Sequence, residues 1–287
     1  MKIGIVLTDP VDWTAERFIR GLKLAGVEPI TIRLERAVSS ISEITCEGLS
    51  LFDLDGLLVR DLGGGGLESS VFRFDILLEL ERTGIPVINP PSAIQLAANK
   101  HLSYWRLRRS NLPFPKTCVT SDISEAIVFV ERVGTAVAKP IFGYKGLGIE
   151  LITMERLDRI GEVIRERGVI YLQEFIPHNG RDIRAFVVGG EVVGAIYRLA
   201  PEDGWISNLS QGGTPERCSL TGAQKDLAIR AAGALGTLYA GVDLIESNDE
   251  TFVLEVNGTP SGYGVFAACR VDVTRMIINL LMKRVRG

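Results

Sequence analysis

Apolar and polar positions follow two periods along this chain. Residues 2–7 form a short apolar run of strand length, and residues 14–24 then place Ala15, Phe18, Ile19 and Leu22 at helical spacing. Further strands are expected at 27–34 and 55–60, a helix over 71–82, and a strand at 87–89 stopped by Pro90 and Pro91. Strands alternating with helices at this pitch predict a small parallel α/β sheet, with ligands outside the carboxyl ends of its strands. From Ser92 one helix carrying Lys100 is expected to run toward Arg109 and to end at Asn111–Pro115, where two prolines prevent its continuation.

The second half changes character. A strand over 116–120 precedes Asp122-Ile-Ser-Glu125, a capping-box-like start to a helix ending near Gly134. A strand at 136–140, a glycine-rich loop, a strand at 149–152, a charged helix over 156–167 and a strand from Tyr171 complete a lid-sized α+β module. Strands at 182–188 and 191–198 flank a Gly189-Gly190 turn, and Thr221-Gly-Ala-Gln224 opens an apolar helix expected through Leu238. A hairpin follows, and a last helix starts at Val273.

Composition narrows the setting. At 287 residues, 46% of them apolar, the chain has room for two or three packed units, yet no apolar stretch approaches the roughly 20 residues of a membrane span. Cys46, Cys118, Cys218 and Cys269 lie far apart without C-x-x-C spacing, which disfavours a zinc site or disulfide framework and fits a reduced, cytoplasmic setting. A net charge of −3 argues against a nucleic-acid partner and favours small ligands. With only His101 and His178 available, carboxylates, lysines and arginines must carry any chemistry.

Candidate chemistry concentrates in the hairpin. Gly241-Val-Asp243-Leu leads through the turn-rich 246–250 to Leu254-Glu255-Val256-Asn257. Strand alternation puts Glu255 and Asn257 on one face, with Leu254 and Val256 expected to pack on the other, and the turn returns Asp243 to the same edge. Two carboxylates and a neutral oxygen suit a hard cation that shares its shell with phosphates. An acidic hairpin facing solvent fits the same pattern. A Rossmann reading fails, because no G-x-G-x-x-G follows the first strand and Gly63–Gly66 lacks that spacing. Arg60 ends the strand before those glycines, where it could hold a substrate carboxylate or stand on the surface. Ala138-Lys139-Pro140 stands directly before Gly143, Gly146 and Gly148, which places a cation beside backbone able to approach phosphates; a glycine-rich hairpin with a surface lysine is the alternative. Gln173-Glu174-Phe175-Ile176 reads as a core strand or as a hinge whose polar groups reach an adenine edge.

In this order, these segments resemble the ATP-grasp superfamily, and most closely its RimK-like branch of amino-acid ligases. Asn99-Lys100, Gly180-Arg181-Asp182-Ile183-Arg184, Ser207-Asn208-Leu209-Ser210-Gln211-Gly212-Gly213 and the hairpin extend the match over essentially the whole chain. The resemblance implies an N-terminal parallel α/β pre-ATP-grasp domain over 1–92 and an ATP-grasp domain over 93–287, with a lid near 116–176 and a C-terminal metal-binding subdomain near 177–287. By the same resemblance Lys100 and Lys139 would contact the ATP phosphates. The loop of Gly143, Tyr144, Lys145, Gly146 and Gly148 would close over them. Gln173, Glu174, Phe175 and Ile176 would bind adenine, and Asp182 would face the ribose. Arg184, Arg198 and Asn208 would act at the γ-phosphate and acyl substrate, and Asp243, Glu255 and Asn257 would hold two Mg²⁺ ions, replaceable by Mn²⁺. Arg60, Arg181 and Ser261 are candidates for substrate carboxylates.

The activity so implied is an ADP-forming carboxylate–amine ligation through an acyl phosphate. The expected substrates are L-glutamate and a carboxylate-bearing coenzyme such as tetrahydromethanopterin, a deazaflavin, or a protein acceptor. A D-alanine-D-alanine-type dipeptide ligase and a non-catalytic ATP-binding module are the other readings. No membrane partner is expected, and related ligases imply a homo-oligomer, dimer or tetramer. The loop after Asn257 reads Gly-Thr-Pro-Ser-Gly-Tyr-Gly, where many RimK-like ligases carry a Pro-Gly pair, so acceptor specificity is where this chain departs from the pattern.

Overall fold

The computed structural model describes every residue except Tyr144, Lys145, Asp203, Asp249 and Gly287. In chain order the elements begin with β1 (Lys2–Val6), α1 (Trp13–Leu24), β2 (Glu28–Ile32), β3 (Ala37–Ser39), β4 (Ile44–Cys46), β5 (Leu49–Ser50), β6 (Gly56–Val59), α2 (Leu67–Arg82), β7 (Val87–Ile88), α3 (Pro91–Ala98) and α4 (Lys100–Arg109). Then come β8 (Thr117–Thr120), α5 (Ile123–Val133), β9 (Thr135–Lys139), β10 (Glu150–Thr153), α6 (Asp158–Arg167) and β11 (Ile170–Glu174). The last part holds β12 (Arg181–Val188), β13 (Glu191–Leu199), β14 (Thr214–Arg217), α7 (Gly222–Ala234), β15 (Tyr239–Ser247), β16 (Glu250–Asn257), α8 (Tyr263–Cys269) and α9 (Val273–Arg286).

The parallel sheet runs β2-β1-β6-β7, as the alternating pattern predicts. Between β2 and β6 the chain also builds a separate antiparallel sheet, β3-β4-β5, which the sequence reading lacked; strands of two or three residues carry no legible period. The lid sheet, β10-β9-β11-β8, is covered by α5 and α6 around Ala126, Val130, Ile160 and Val163. Asp122 caps α5 by accepting from the backbone amides of Ser124 and Glu125.

The largest sheet, β14-β13-β12-β15-β16, is antiparallel throughout and presents two different faces. Ile183, Ala185, Val242, Leu244, Val253 and Val256 pack with Leu227, Ala228 and Ala231 of α7. On the opposite face Phe186, Ile196 and Tyr239 join Ile3, Ile5 and Phe18 of the N-terminal layer and Ile277 and Leu281 of α9 in one continuous core. The C-terminal helix thus packs with the N-terminal layer. Gly21 permits it, since a Cβ there would meet Ile278 at 2.6 Å. Only the outer half of that second face is left open, and the polar residues lie there.

Two expected helices differ in extent. The span from Ser92 toward Arg109 is not one helix: Asn99 leaves helical geometry, and its side chain accepts from the amides of His101 and Leu102 to start α4 afresh. The helix from Thr221 has the full capping box with Gln224 but stops at Ala234 rather than Leu238. No helix among the described residues is long and apolar enough to cross a membrane.

Candidate active site

Strand register assembles the site. Asp182 lies opposite Arg198, Arg184 opposite Asp243, Asp243 opposite Glu255, and Gly241 opposite Asn257. Directly opposed residues share a face, so Asp182, Arg184, Arg198, Asp243, Glu255 and Asn257 line one surface across four strands. Arg198 is almost fully buried, donating to both Asp182 oxygens at 2.7 and 2.6 Å and reaching Asp243 at 2.8 Å. Arg184 forks onto the same Asp243 carboxylate through Nε and Nη2.

The electrostatics follow from that packing. Burial alone would raise the Asp243 carboxyl, but Arg184 and Arg198 outweigh it and hold the group below its ordinary value. Burial alone would likewise lower Arg198, and Asp243 and Asp182 hold it charged well above the usual guanidinium range.

The start of α4 and the lid each supply a cation across the cleft. Lys100 Nζ pairs with Glu255 at 3.0 Å and donates to the Gly143 carbonyl at 3.3 Å. Its helix is docked there by the Lys100 amide bonding the Ile141 carbonyl. Lys139, at the end of β9, donates to Gln173 Oε1 at 2.6 Å. Burial pulls the Lys139 amine down to about 8, Lys100 adds to the effect, and Glu255 and Asp243 oppose it. Lys100, Lys139, Tyr171, Gln173, Leu254 and Glu255 line one cavity between lid and sheet, together with Tyr104, Leu107 and Phe114.

The glycine loop leans on the other wall. Gly146 and Gly148 have φ of 74° and 69°, in the left-handed region, and a Cβ at Gly146 would come within 3.1 Å of Asn208 Oδ1. Asn208 is thereby placed beside the loop expected to close over phosphates. Tyr144 and Lys145, part of the same expectation, lie outside the described residues.

Other expected positions divide. Gln173 faces the cavity, while the Glu174 carboxylate turns to Lys116 at 3.1 Å; Phe175 meets Trp205 and His178 edge-on or tilted, and Ile176 is half-buried beside them in sequence. The Asp182 carboxylate, expected at a ribose, is instead engaged on both oxygens by Arg198. Arg181 is not brought to the site: it sits on the α7 side of β12, stacked 4.1 Å over Tyr197 and 3.8 Å from Glu246. Arg60, expected at a substrate carboxylate, gives Nε and Nη2 to Asp12 at 2.7 and 2.9 Å and Nη1 to the Thr259 carbonyl at 3.1 Å. Ser261 shares a hydrogen bond with Thr14 at 3.2 Å and accepts from the Tyr263 amide. Both therefore brace the junction between α1 and the loop after β16.

One cavity residue was missed for a clear reason. The β15–β16 register slips between Asp243 and Leu244, so Leu244 pairs with Val253 and two residues, Leu254 and Glu255, span one step. Val253 takes the core position expected for Leu254, and Leu254 turns to the cavity. Strict alternation carries no sign of such a bulge.

A RimK-like ATP-grasp domain profile matches residues 97–281. The tetrahydromethanopterin:alpha-L-glutamate ligase of Methanosarcina acetivorans is 43% identical over 98% of each chain, and that of Methanocaldococcus jannaschii is 45% identical over 83% of this chain and 82% of its own. Among solved structures, the ATP-grasp ligase PsnB, complexed with a phosphomimetic variant of a minimal precursor, Mg and ADP, superposes with a TM-score of 0.78 at 23% identity, covering 99% of this chain and 98% of its own; at that identity the likeness establishes the fold. Profile, relatives and fold agree with one another: the chain belongs to the RimK-like ATP-grasp family of ATP-dependent ligases.

Proposed function

We propose that this enzyme joins the amino group of L-glutamate to a carboxylate of a tetrahydromethanopterin-type coenzyme, converting ATP to ADP and phosphate. The observation that carries the reading is the single face holding Asp243, Glu255, Asn257, Arg184 and Arg198 opposite Lys100 and Lys139. The choice of glutamate and coenzyme rests on the two methanogen ligases to which the chain is 43% and 45% identical.

The donor set fits Mg²⁺. Two carboxylates and an amide oxygen are hard ligands, and among the described residues no group of three or more His, Cys, Asp or Glu side chains could hold an ion alone, so phosphate oxygens would complete the shell. Asp243, Glu255 and Asn257 would hold two such ions, with Mn²⁺ able to substitute; bound there, they neutralise phosphate charge. Ligation requires Asp243 to exchange part of its arginine pairing, and Glu255 its Lys100 contact, for metal.

The residues then divide the work. Lys100 and Lys139 hold the triphosphate, with the Gly143–Gly148 loop above it and Gln173 and Leu254 at the base. An acceptor carboxylate oxygen attacks the γ-phosphorus, the bond to the β-phosphate oxygen breaks, and ADP leaves; in-line alignment and charge neutralisation are the main requirements. The amine of glutamate attacks the acyl phosphate carbon, phosphate departs, and the nitrogen loses its proton. Arg198, paired with Asp182 on both oxygens, would stabilise the oxyanion, and Arg184 and Asn208 would act at the transferred phosphoryl group. Closure of the glycine loop protects the acyl phosphate from water. A cytoplasmic homo-oligomer completes the reading, its size measurable by light scattering.

The test is product mass spectrometry after incubation with Mg²⁺-ATP, L-glutamate and tetrahydromethanopterin. The expected product is the coenzyme heavier by one glutamyl residue, with stoichiometric ADP. ADP release from two free amino acids alone would favour the dipeptide reading, and ATP binding without ADP the regulatory one.

A further inference from the structure

Asn89 follows β7, the edge strand of the parallel sheet, and is fully buried. Its side chain makes four hydrogen bonds, none to its own sheet. Oδ1 accepts from the Leu238 amide at 2.6 Å and the Tyr239 amide at 3.1 Å; Nδ2 donates to the Tyr239 carbonyl at 2.7 Å and the Gly258 carbonyl at 2.6 Å. An amide that makes two bonds through its oxygen and two through its nitrogen has no spare donor, and a side-chain amide offers two donors and two acceptor sites at once.

The partners matter more than their number. Leu238 directly precedes and Tyr239 opens β15, which carries Asp243, and Gly258 directly follows Asn257. The β15–β16 ladder reaches only to Gly241 opposite Asn257. Beyond that pair the strands part, and the Asn89 amide bridges the Tyr239 and Gly258 carbonyls in place of the next rung. One residue further on, the Thr259 carbonyl accepts from Arg60, while the Thr259 amide donates to Asn257 Oδ1 at 2.8 Å. Tyr239 adds a tie of its own, donating its hydroxyl to the Val59 carbonyl at 3.0 Å.

We infer that Asn89 is a positioning residue for the cation site: it fixes the backbone around Asn257, and with it the aim of that side chain, from the N-terminal layer. This rests on the metal role proposed for Asn257 and extends it to a residue that touches neither metal nor substrate. Residues one step behind a ligand control its orientation, and their loss typically lowers metal affinity by roughly 10–100-fold. Asn89→Asp tests it most sharply. The aspartate keeps size and both acceptor contacts but turns an oxygen toward the Tyr239 and Gly258 carbonyls, replacing two bonds with repulsion.

The measurement is calorimetric affinity for ATP with and without Mg²⁺, alongside thermal unfolding. The expected result for Asn89→Asp is metal-free ATP affinity within about twofold of the parent and a loss of roughly tenfold or more in the gain that Mg²⁺ brings. Arg60→Gln removes the Thr259 contact together with the Asp12 pair, leaves Asn89 in place, and should lose the same Mg²⁺-dependent gain to a smaller degree; it carries the test if Asn89→Asp does not fold. An unchanged Mg²⁺ gain in the variants, or parallel loss of affinity with and without metal, would overturn the positioning role. A parent enzyme with no Mg²⁺-dependent gain would instead remove the metal reading itself.

Discussion

Two arginines in this molecule each gather several carboxylates, and they do opposite things. Arg159 on the lid surface meets Glu150, Glu162 and Glu166, in a cluster open to solvent and held largely within one helix and its neighbouring strand. Arg198 meets Asp182 and Asp243 from inside the large sheet, with side chains almost wholly shielded. Water screens the first group, so its members contribute to the local fold and little else. The second is fixed by strand register and cannot relax into solvent, which makes it both costly to break and able to present a directed positive charge. Charge clustering is therefore no guide to function by itself; the shared buried face is.

Removing the buried member should have the largest effect. Arg198→Met leaves Asp182 as an uncompensated buried carboxylate and Asp243 with Arg184 as its remaining partner, and urea unfolding should register a loss of about 3–5 kcal/mol together with abolished turnover. Retention of normal stability would mean that the two aspartates find other partners.

Glu255→Gln comes next, because it removes charge with almost no change in volume. Turnover should fall about a hundredfold or more, while the circular dichroism spectrum and unfolding cooperativity stay those of the parent. Near-normal turnover would detach Glu255 from metal holding.

Lys139 gives the comparison a pH axis. Its amine, lowered to about 8 chiefly by burial, is protonated below that pH in the ligand-free enzyme and neutral above it. A triphosphate favours the ammonium, so nucleotide affinity should be greatest below about pH 7.5, fall as pH rises through 8, and be accompanied by proton uptake. Lys139→Gln should bind more weakly and show a flat profile; an unchanged profile would place the phosphates elsewhere.

The junction pair Asp12–Arg60 should give a smaller effect on the acid side. Burial would raise Asp12, but Arg60 and the amides of Ala15 and Thr14 hold it lower. A depressed carboxyl contributes stability that is present above its unfolded value of about 4 and is lost as pH falls through the folded value. Melting temperatures from pH 6 to 3 should therefore drop more steeply in the parent than in Asp12→Asn. The smallest change is expected for Arg159→Ala, with turnover equal to the parent's; a lost turnover there would erase the contrast between the two clusters.

Much of this arrangement was legible in the chain because it is written in local patterns. The Gly189-Gly190 turn, with φ of 61° and 84°, fixes the β12–β13 hairpin, although a register slip between Phe186 and Val187, which no local pattern marks, is what brings Arg198 rather than Tyr197 opposite Asp182. The Thr221 capping box and the Asp122 cap mark helix starts directly. The β15–β16 hairpin follows from a short turn between two apolar runs, while the Asp243–Glu255 pairing within it depends on the slip after Asp243. What escaped depends on contacts between distant segments. The engagement of Asp182 by Arg198 instead of a free carboxylate, the sequestering of Arg60 by Asp12, and the four bonds of Asn89 involve partners 16 to 169 positions away. Arg181, a candidate for a substrate carboxylate, lies on the other face of β12 from Asp182, since neighbours on a strand face opposite ways. The helix break at Asn99 was hidden because an N-cap asparagine inside a run of good helix formers is invisible until the backbone turns.

The most direct test follows the oxygen atoms. With the acceptor carboxylate labelled with oxygen-18 and L-glutamate supplied, carboxylate attack on the γ-phosphorus requires one labelled oxygen to leave with inorganic phosphate when the amide forms. The expected result is one labelled oxygen per phosphate released, in step with ADP. Unlabelled phosphate alongside amide product would contradict activation of the acceptor as an acyl phosphate.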